Sequence, residues 1–312
     1  MSFAAFFFLA TFLLGKEKWH IINKIMQNRK IKYSLIIILL VISLILAGVI
    51  FYAKNQELRV IFLDVGQGDA ILLSQGSRQI LIDGGPSEQI LLEKLGQYVP
   101  FWDREIELVI ATHPDQDHIQ GLLGVMKNYR VDGLLETTVK SESQLDKKFE
   151  ELLAEKKIAK IKGEAGVTIK LGTAQLDILN PSGETPNGVV KDTNAYSVVA
   201  KLVFGQNSFL FTGDLPEKEE AKLLEQGVDL KSTVLKVAHH GSKYATSEKF
   251  LEKVAPREAI ISVGKNNRFG HPTPETIQRL EAQKIDILRT DEVGDIEYNC
   301  AEVESECALS VN

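Results

Sequence analysis

The chain predicts an α/β fold with its chemistry at a strand end. Three observations carry that expectation. Apolar, β-branched runs alternate with amphipathic segments through residues 58–298, glycine-rich turns separate the runs, and the densest group of ionisable side chains falls where a buried strand passes into a helix.

Residues 59–65, 70–73 and 79–82 read as consecutive strands, broken at Gly66-Gln67-Gly68 and at Gln75-Gly76. A helix over 88–98 leads to a buried strand at 108–111, and a second helix covers 119–128. Residues 144–156 have helical amphipathic spacing, 167–179 read as a hairpin, and 196–211 as another that turns at Gly205-Gln206-Asn207. Helices over 216–226, 247–254 and 274–283 then interleave with strands at 234–237 and 259–263. There is no internal repeat.

The N-terminal region has a separate signal. Residues 34–53 are about twenty residues without a charge, the length needed to cross a bilayer core, with Tyr33, Phe51 and Tyr52 at interfacial depth. Lys16, Lys18, Lys24, Arg29, Lys30 and Lys32 precede them, a basic excess that stays in the cytoplasm. The expectation is an uncleaved single-pass anchor in the cell membrane, with everything after Lys54 outside the cytoplasm. Residues 1–14 are apolar but short for a span, so residues 1–33 read as a short apolar segment plus a basic juxtamembrane stretch. The organisation is then an anchor at 34–53, a catalytic domain at 58–298 and an acidic tail at 299–312.

A net charge of −6 excludes a global basic footprint, so any phosphate substrate must be held by metals and a local patch. The two cysteines, Cys300 and Cys307, are too few for a zinc site of their own; outside the cytoplasm they close a small disulfide loop or remain two unpaired tail thiols.

Five of the six histidines fall in three places: Thr112-His113-Pro114-Asp115-Gln116-Asp117-His118, the pair His239-His240, and His271. In the first run ligands and spacers alternate, and then two ligands stand side by side. Such a run can face one or two cations from a single strand-to-helix turn, His113 and Asp115 toward one, Asp117 and His118 toward the other.

These motifs, read with Leu81-Ile82-Asp83-Gly84-Gly85, Phe211-Thr212-Gly213-Asp214 and Val237-Ala238-His239-His240-Gly241-Ser242, resemble the metallo-β-lactamase superfamily. Phe62-Leu63-Asp64-Val65-Gly66-Gln67-Gly68-Asp69-Ala70 is similar to the opening of the hydrolase domains of ComEC-type competence proteins. The likeness covers roughly residues 58–298. The many membrane helices and the soluble competence module of a full-length ComEC are not among these residues, so hydrolysis is expected rather than DNA transport.

The resemblance implies a four-layer αββα sandwich. It also implies two divalent metal ions, Mn2+ or Zn2+, with Asp214 bridging them and one of the paired histidines as a further ligand. His240 is favoured because the following glycine matches the superfamily's late His-Gly pattern, which leaves His239 to orient or contact substrate. Asp83 is expected to lie beneath the metals and orient their ligands. His271, in Gly270-His271-Pro272, is expected to contact a phosphate oxygen or protonate a leaving group, with Asp117 also in the reacting set. Ser242 and Asn194 are weaker candidates for substrate contact. Asp64 and Asp69 flank a tight turn, where carboxylates cap backbone amides, and a direct metal role is the alternative.

One departure from the superfamily is informative. Its commonest form has a histidine where this chain has Asp115 and another before the bridging aspartate, whereas no histidine occurs here from Ile119 to Ala238. A carboxylate-rich first site shifts preference toward manganese and argues against β-lactamase and glyoxalase-II activity. The expected function is a membrane-anchored, dinuclear metal-dependent hydrolase of phosphodiesters, with single-stranded DNA as substrate and the competence or DNA-uptake machinery as partner. The alternatives are a hydrolase of phosphorylcholine or of small phosphodiesters, and a non-catalytic metal-binding surface module.

Overall fold

The computed structural model describes residues 29–54 and 57–311. The short apolar segment expected at residues 1–14 lies outside them. Helix α1 (Arg29–Lys54) covers the span expected at 34–53 and forms a unit of its own. Among the described residues no helix is long and apolar enough to cross a membrane.

The second unit follows Lys54. In chain order its strands are β1 (Leu58–Phe62), β2 (Ile71–Gln75), β3 (Arg78–Ile82), β4 (Glu105–Ala111), β5 (Arg130–Glu136), β6 (Val139–Lys140), β7 (Ala159–Lys162), β8 (Thr168–Leu171), β9 (Ala174–Asn180), β10 (Gly188–Val189), β11 (Val199–Phe204), β12 (Asn207–Phe211), β13 (Val234–Lys236), β14 (Glu258–Ile261), β15 (Asp286–Arg289), β16 (Ile296–Cys300) and β17 (Ala308–Val311). The helices are α2 (Glu88–Tyr98), α3 (Gln116–Asn128), α4 (Gln144–Lys156), α5 (Glu217–Glu225), α6 (Glu248–Val254), α7 (Pro274–Ala282) and α8 (Thr290–Val293). One sheet runs β17-β16-β1-β2-β3-β4-β5-β7, the other β15-β14-β13-β12-β11-β9-β8, and β6 pairs with β10 apart from both.

Strand alternation explains the layers. Phe62, Ile71, Leu73, Ile80, Ile82, Leu108 and Ile110 face the second sheet, where Leu176, Phe209, Phe211 and Ile260 meet them. Their neighbours Ile61, Leu63, Leu72, Leu81, Val109 and Ala111 point the other way and pack beneath α2, α3 and α4. Leu210, Leu235, Ala259 and Ile261 likewise pack under Leu223, Phe250, Leu251 and Leu280 of α5, α6 and α7. The central strands of both sheets are therefore buried on both faces and read as apolar runs, whereas β9, nearer an edge, alternates buried and half-buried positions. The result is the expected αββα sandwich. Its two sheets meet through Phe62 and Phe211, 6.0 Å between ring centroids, and through the edge contact of Tyr298 with Phe209 at 5.3 Å.

Helix starts follow the sequence closely. Ser87, Ser143 and Ser247 each accept a backbone N–H at the first turn of α2, α4 and α6, and Pro274 opens α7. The expected strands differ at the margins. β7 is an exposed, lysine-rich edge strand without an apolar face, and β15 is a short edge strand, so neither has the pattern that marks a buried strand. The expected acidic tail at 299–312 is part of the sheet: β17 pairs antiparallel with β16, Ile296 opposite Val311, and Cys300 is joined to Cys307. Glu302, Glu304 and Glu306 give the segment its charge, but they lie in the loop between the two strands.

The start of α3 is held against two other turns by close backbone contacts. Gly84 N donates to His118 O at 2.7 Å, Gly121 N to Gly85 O at 2.9 Å, and Asp69 N to Asp117 O at 3.3 Å. A Cβ on Gly121 would lie 1.9 Å from the Gly84 carbonyl oxygen, and one on Gly68, at φ +133°, would lie 2.2 Å from Asp117 O. Only glycine permits this approach. Gly121→Ala is expected to lower stability by about 1–3 kcal/mol or more, because backbone and not a flexible side chain must give way. A urea-unfolding midpoint equal to that of the unaltered protein would refute this reading.

Candidate metal centre

The site forms where the carboxyl ends of β1, β3, β4, β12, β13 and β14 meet, at the mouth of the sandwich. Strand ends hold their side chains rigidly and still open to solvent, as ligand sites in α/β folds require. β1 delivers Asp69, β3 Asp83, β4 His113 to His118, β12 Asp214, β13 Lys236 to Ser242, and β14 leads to His271.

Asp214 is the hub. His118 Nε2 lies 3.4 Å from its Oδ1, and His240 Nε2, His239 Nε2 and His113 Nε2 lie 3.5, 3.7 and 4.0 Å from its Oδ2. His240 Nε2 is also 3.4 Å from Asp117 Oδ2. The Nε2 atoms of His113, His118 and His240 and Oδ1 of Asp214 are buried without a hydrogen-bond partner. Buried polar atoms are normally satisfied, so four orphans gathered around one point mark a place built for cations. Two triads drawn from the histidine motifs and Asp214, His113-His118-Asp214 and Asp117-His118-His240, bring their ligand atoms within 4.8 Å of one another, and Asp69 completes two others, with Asp83 and His118 and with Asp214 and His240. This donor set of imidazole and carboxylate suits a divalent transition metal.

The geometry groups the ligands differently from the pairwise reading of the motif. His118 belongs to both triads, and Asp115 belongs to neither, although its Oδ2 is 3.9 Å from His113 Nε2. Asp115 occupies the N-cap position of α3 without capping it; its Oδ1 instead accepts from the Thr193 hydroxyl at 2.5 Å.

The other ring nitrogens are fixed from behind. His118 Nδ1 is 2.8 Å from Asp83 Oδ2, and His240 Nδ1 is 2.8 Å from the Ser262 carbonyl oxygen. An acceptor at Nδ1 keeps the proton there and leaves Nε2 free to bind a metal. Asp83 also accepts from Thr112 N at 2.8 Å and from Thr112 Oγ1 at 2.7 Å, and Thr112 Oγ1 lies 3.0 Å from His113 Nδ1. One buried carboxylate thus orients both histidines of the first motif.

Lys236 had no part in the sequence reading, and Asp69 entered it only through the alternative of a direct metal role. Asp64 caps its turn as expected, its Oδ1 accepting from Gly66 N at 3.2 Å. Asp69 does not: it is buried, its Oδ1 lies 3.4 Å from His240 Nδ1, and its Oδ2 pairs with Lys236 Nζ. Lys236 also donates to Gly213 O at 3.2 Å and lies 3.9 Å from Asp214 Oδ1. The available signal was a lone charge in the apolar run Val234-Leu235-Lys236-Val237-Ala238, since a buried lysine needs a partner.

The outer candidates surround this core. The His239 side chain is a third exposed at the rim. His271 is half-buried, its ring 5.6 Å from that of His239, and its Nδ1 lacks a partner. Ser242 is buried and its Oγ accepts from Tyr244 N at 3.4 Å, a turn contact. Asn194 opens a short turn of 3-10 helix, and Ser197 at the end of that turn accepts from Asp214 N at 3.2 Å.

Protonation follows the charges. Burial alone would lift Asp214, but His240, His118 and His113 outweigh it and hold the carboxyl well below the usual range. Burial likewise opposes the proton on His240, yet Asp214, Asp69 and Asp117 together push that imidazole up to about 9. His118 is raised well above its ordinary value against the same burial, by Asp214 and Asp83. His113 goes down, through burial and then the charge of His118, and burial followed by His239 and His240 brings His271 down to about 4.

Asp83→Asn is expected to weaken metal binding about 10–100-fold, because the Nδ1 proton of His118 loses its anionic acceptor. Competition against a chromogenic chelator measures this, and unchanged affinity would remove Asp83 from its orienting role.

Residues 63–265 match the family model described as the metallo-beta-lactamase superfamily. ComE operon protein 3 of Bacillus subtilis is 32% identical over 80% of this chain and 34% of its own length. Competence protein ComA of Neisseria gonorrhoeae is 29% identical over 82% of this chain and 35% of its own. The chain thus spans about a third of the length of each of these relatives. Among solved structures, the metallo-beta-lactamase fold protein YhfI from Bacillus subtilis superposes with a TM-score of 0.51 at 13% identity, covering 77% of this chain and 99% of that one. With its ligand motifs at strand ends, its αββα layers and the family match across residues 63–265, the chain belongs to the metallo-beta-lactamase superfamily.

Proposed function

We propose that this chain is a membrane-anchored, dinuclear metal-dependent phosphodiesterase acting on single-stranded DNA. The observation that carries the proposal is the set of buried, unpartnered ligand atoms on His113, His118, His240 and Asp214, shared between two overlapping triads. Competence protein ComA is by its name a competence protein, and likeness to it supports a DNA-related substrate.

His113, His118, Asp214, Asp117 and His240 would hold two divalent cations, with Asp115 within reach of the first. Bound there, such a pair supplies charge to the attacking and leaving oxygens of an in-line displacement at phosphorus. The chain's own groups do the rest. Asp214 places one carboxylate between three imidazoles, and Lys236 with Asp69 keeps the buried charges balanced beneath it. Asp117, about a third exposed, faces the substrate side with His239. His271, brought down to about 4, is neutral near pH 7; it suits a hydrogen bond to a phosphoryl oxygen better than storage of a proton for the leaving group.

Asp214→Asn is expected to lower turnover of single-stranded DNA on the order of a hundredfold or more, with the far-UV circular dichroism retained, since several kcal/mol of charge stabilisation depend on both cations staying paired. After chelation, manganese is expected to restore more activity than zinc because carboxylates share the site with imidazoles. Normal turnover in the variant would sink the bridging assignment, and restoration by zinc alone would sink the metal preference. Supplying phosphorylcholine and small phosphodiesters beside DNA separates the two enzymatic readings.

The anchor is part of the same proposal. Residues 34–53 lack any charge, as a lipid-facing stretch does. With Lys24, Arg29, Lys30 and Lys32 before it, the catalytic unit lies outside the cytoplasm. Alkaline phosphatase fused at the C-terminus is expected to be active in intact cells, and less so when those four residues are neutral. Activity confined to a cytoplasmic reporter would reverse the orientation.

A further inference from the structure

Beside Asp117 opens a groove of about 410 Å³, lined by Gln67, Gln116, Asn267, Arg268 and Phe269. Gln67 and Asn267 also line a second groove, of about 580 Å³, that reaches Lys265. The two make one path away from the metal centre. Resting on the nuclease reading above, we infer that this path takes the nucleobase next to the scissile phosphate, stacked on Phe269, with Arg268 and Lys265 beside the backbone.

Phe269 is 52% exposed. A single exposed aromatic is ordinary on a protein surface, so its setting decides the matter. The loop that carries it is pinned, not loose: Asn267 Nδ2 donates to Gly264 O at 3.1 Å and to His271 O at 2.6 Å, and Asn267 Oδ1 accepts from Phe269 N at 3.1 Å and His271 N at 3.0 Å. Every polar atom of that amide is spent on holding the ring at the mouth of the site.

The ring is one step in a series. Phe269 lies 5.9 Å from His271 at an interplanar angle of 24°, and His271 lies 5.6 Å from His239, whose Nε2 is 3.7 Å from Asp214. The Arg268 guanidinium is 5.1 Å from the Phe269 centroid. Aromatic faces flanked by guanidinium and amide groups are the chemistry that receives unstacked bases, and a duplex, with its bases stacked inside, cannot present one to such a ring. Because the chain is acidic overall, at −6, attraction for a strand has to come from a local feature of this kind.

The test measures binding, apart from turnover. Fluorescein-labelled oligothymidylate and an abasic oligonucleotide of equal length are titrated with the full chain in detergent and EDTA, and anisotropy is read. The base-containing strand is expected to bind about tenfold tighter. Phe269→Ala is expected to bring that ratio to within about twofold, whereas Phe269→Trp retains it. A ratio near one in the unaltered protein, or a tenfold ratio that survives Phe269→Ala, overturns the base site. If the preference for bases is present and depends on Phe269 but neither strand is cleaved on adding metal, the base site stands and the nuclease reading falls. Cleavage of both strands without any base preference sinks the base site alone.

Discussion

A carboxylate sealed from water keeps its charge only in the company of positive groups, and that constraint organises this molecule. Asp69, Asp83 and Asp214 are all buried within one small volume, and Lys236 and three histidines are buried with them. The depressed Asp214 and the raised His118 and His240 are one arrangement seen from both sides. Breaking such a cluster leaves an uncompensated buried charge, which costs far more than the intact set contributes. Divalent cations would take over the balancing that protons provide on the imidazoles, which is why acidic and basic ligands occur here in nearly matched number.

The backbone carries a load as well. His239 and His240 both have positive φ, 51° and 53°, and Asp83 sits at 57°. Side-chain-bearing residues in that region cost about 1–3 kcal/mol each. The surrounding strands supply what holds them: His239 N donates to Gly213 O at 3.2 Å and Val237 N to Ile260 O at 2.8 Å, so the turn is bracketed by its neighbours in the sheet. The two consecutive left-handed residues turn adjacent imidazoles apart, sending His240 inward and His239 to the rim.

Much of this was legible in the chain. Helices 88–98 and 144–156 appear with the bounds their spacing indicates, because serine caps and apolar stripes are local signals. The motif around His113 was legible because metal ligands must be close in sequence when one turn carries them. Asp69 was legible only as an alternative to turn capping and Lys236 not at all, since their pairing joins the β1–β2 turn to β13 across the sandwich and no local pattern records it. The same holds for His118, whose place in both triads depends on how the start of α3 is pulled toward Gly84. β7 and β17 were missed for the opposite reason: edge strands need no apolar pattern, and their pairing is set by the neighbour they finish.

The bond between Cys300 and Cys307 gives the last strand a dependence on compartment. β17 is exposed at every position and contributes nothing to the core, so it docks on β16 through backbone pairing, aided where Asn207 Nδ2 donates to Ser305 O at 2.7 Å and its Oδ1 accepts from Cys307 N at 3.1 Å. Where thiols stay reduced, the loop would lose its covalent closure, and only the backbone ladder and Asn207 would keep the edge of β16 from pairing with another chain. The bridge therefore ties the solubility of the folded unit to the redox state of the space in which it folds, independently of anything that happens at the metals.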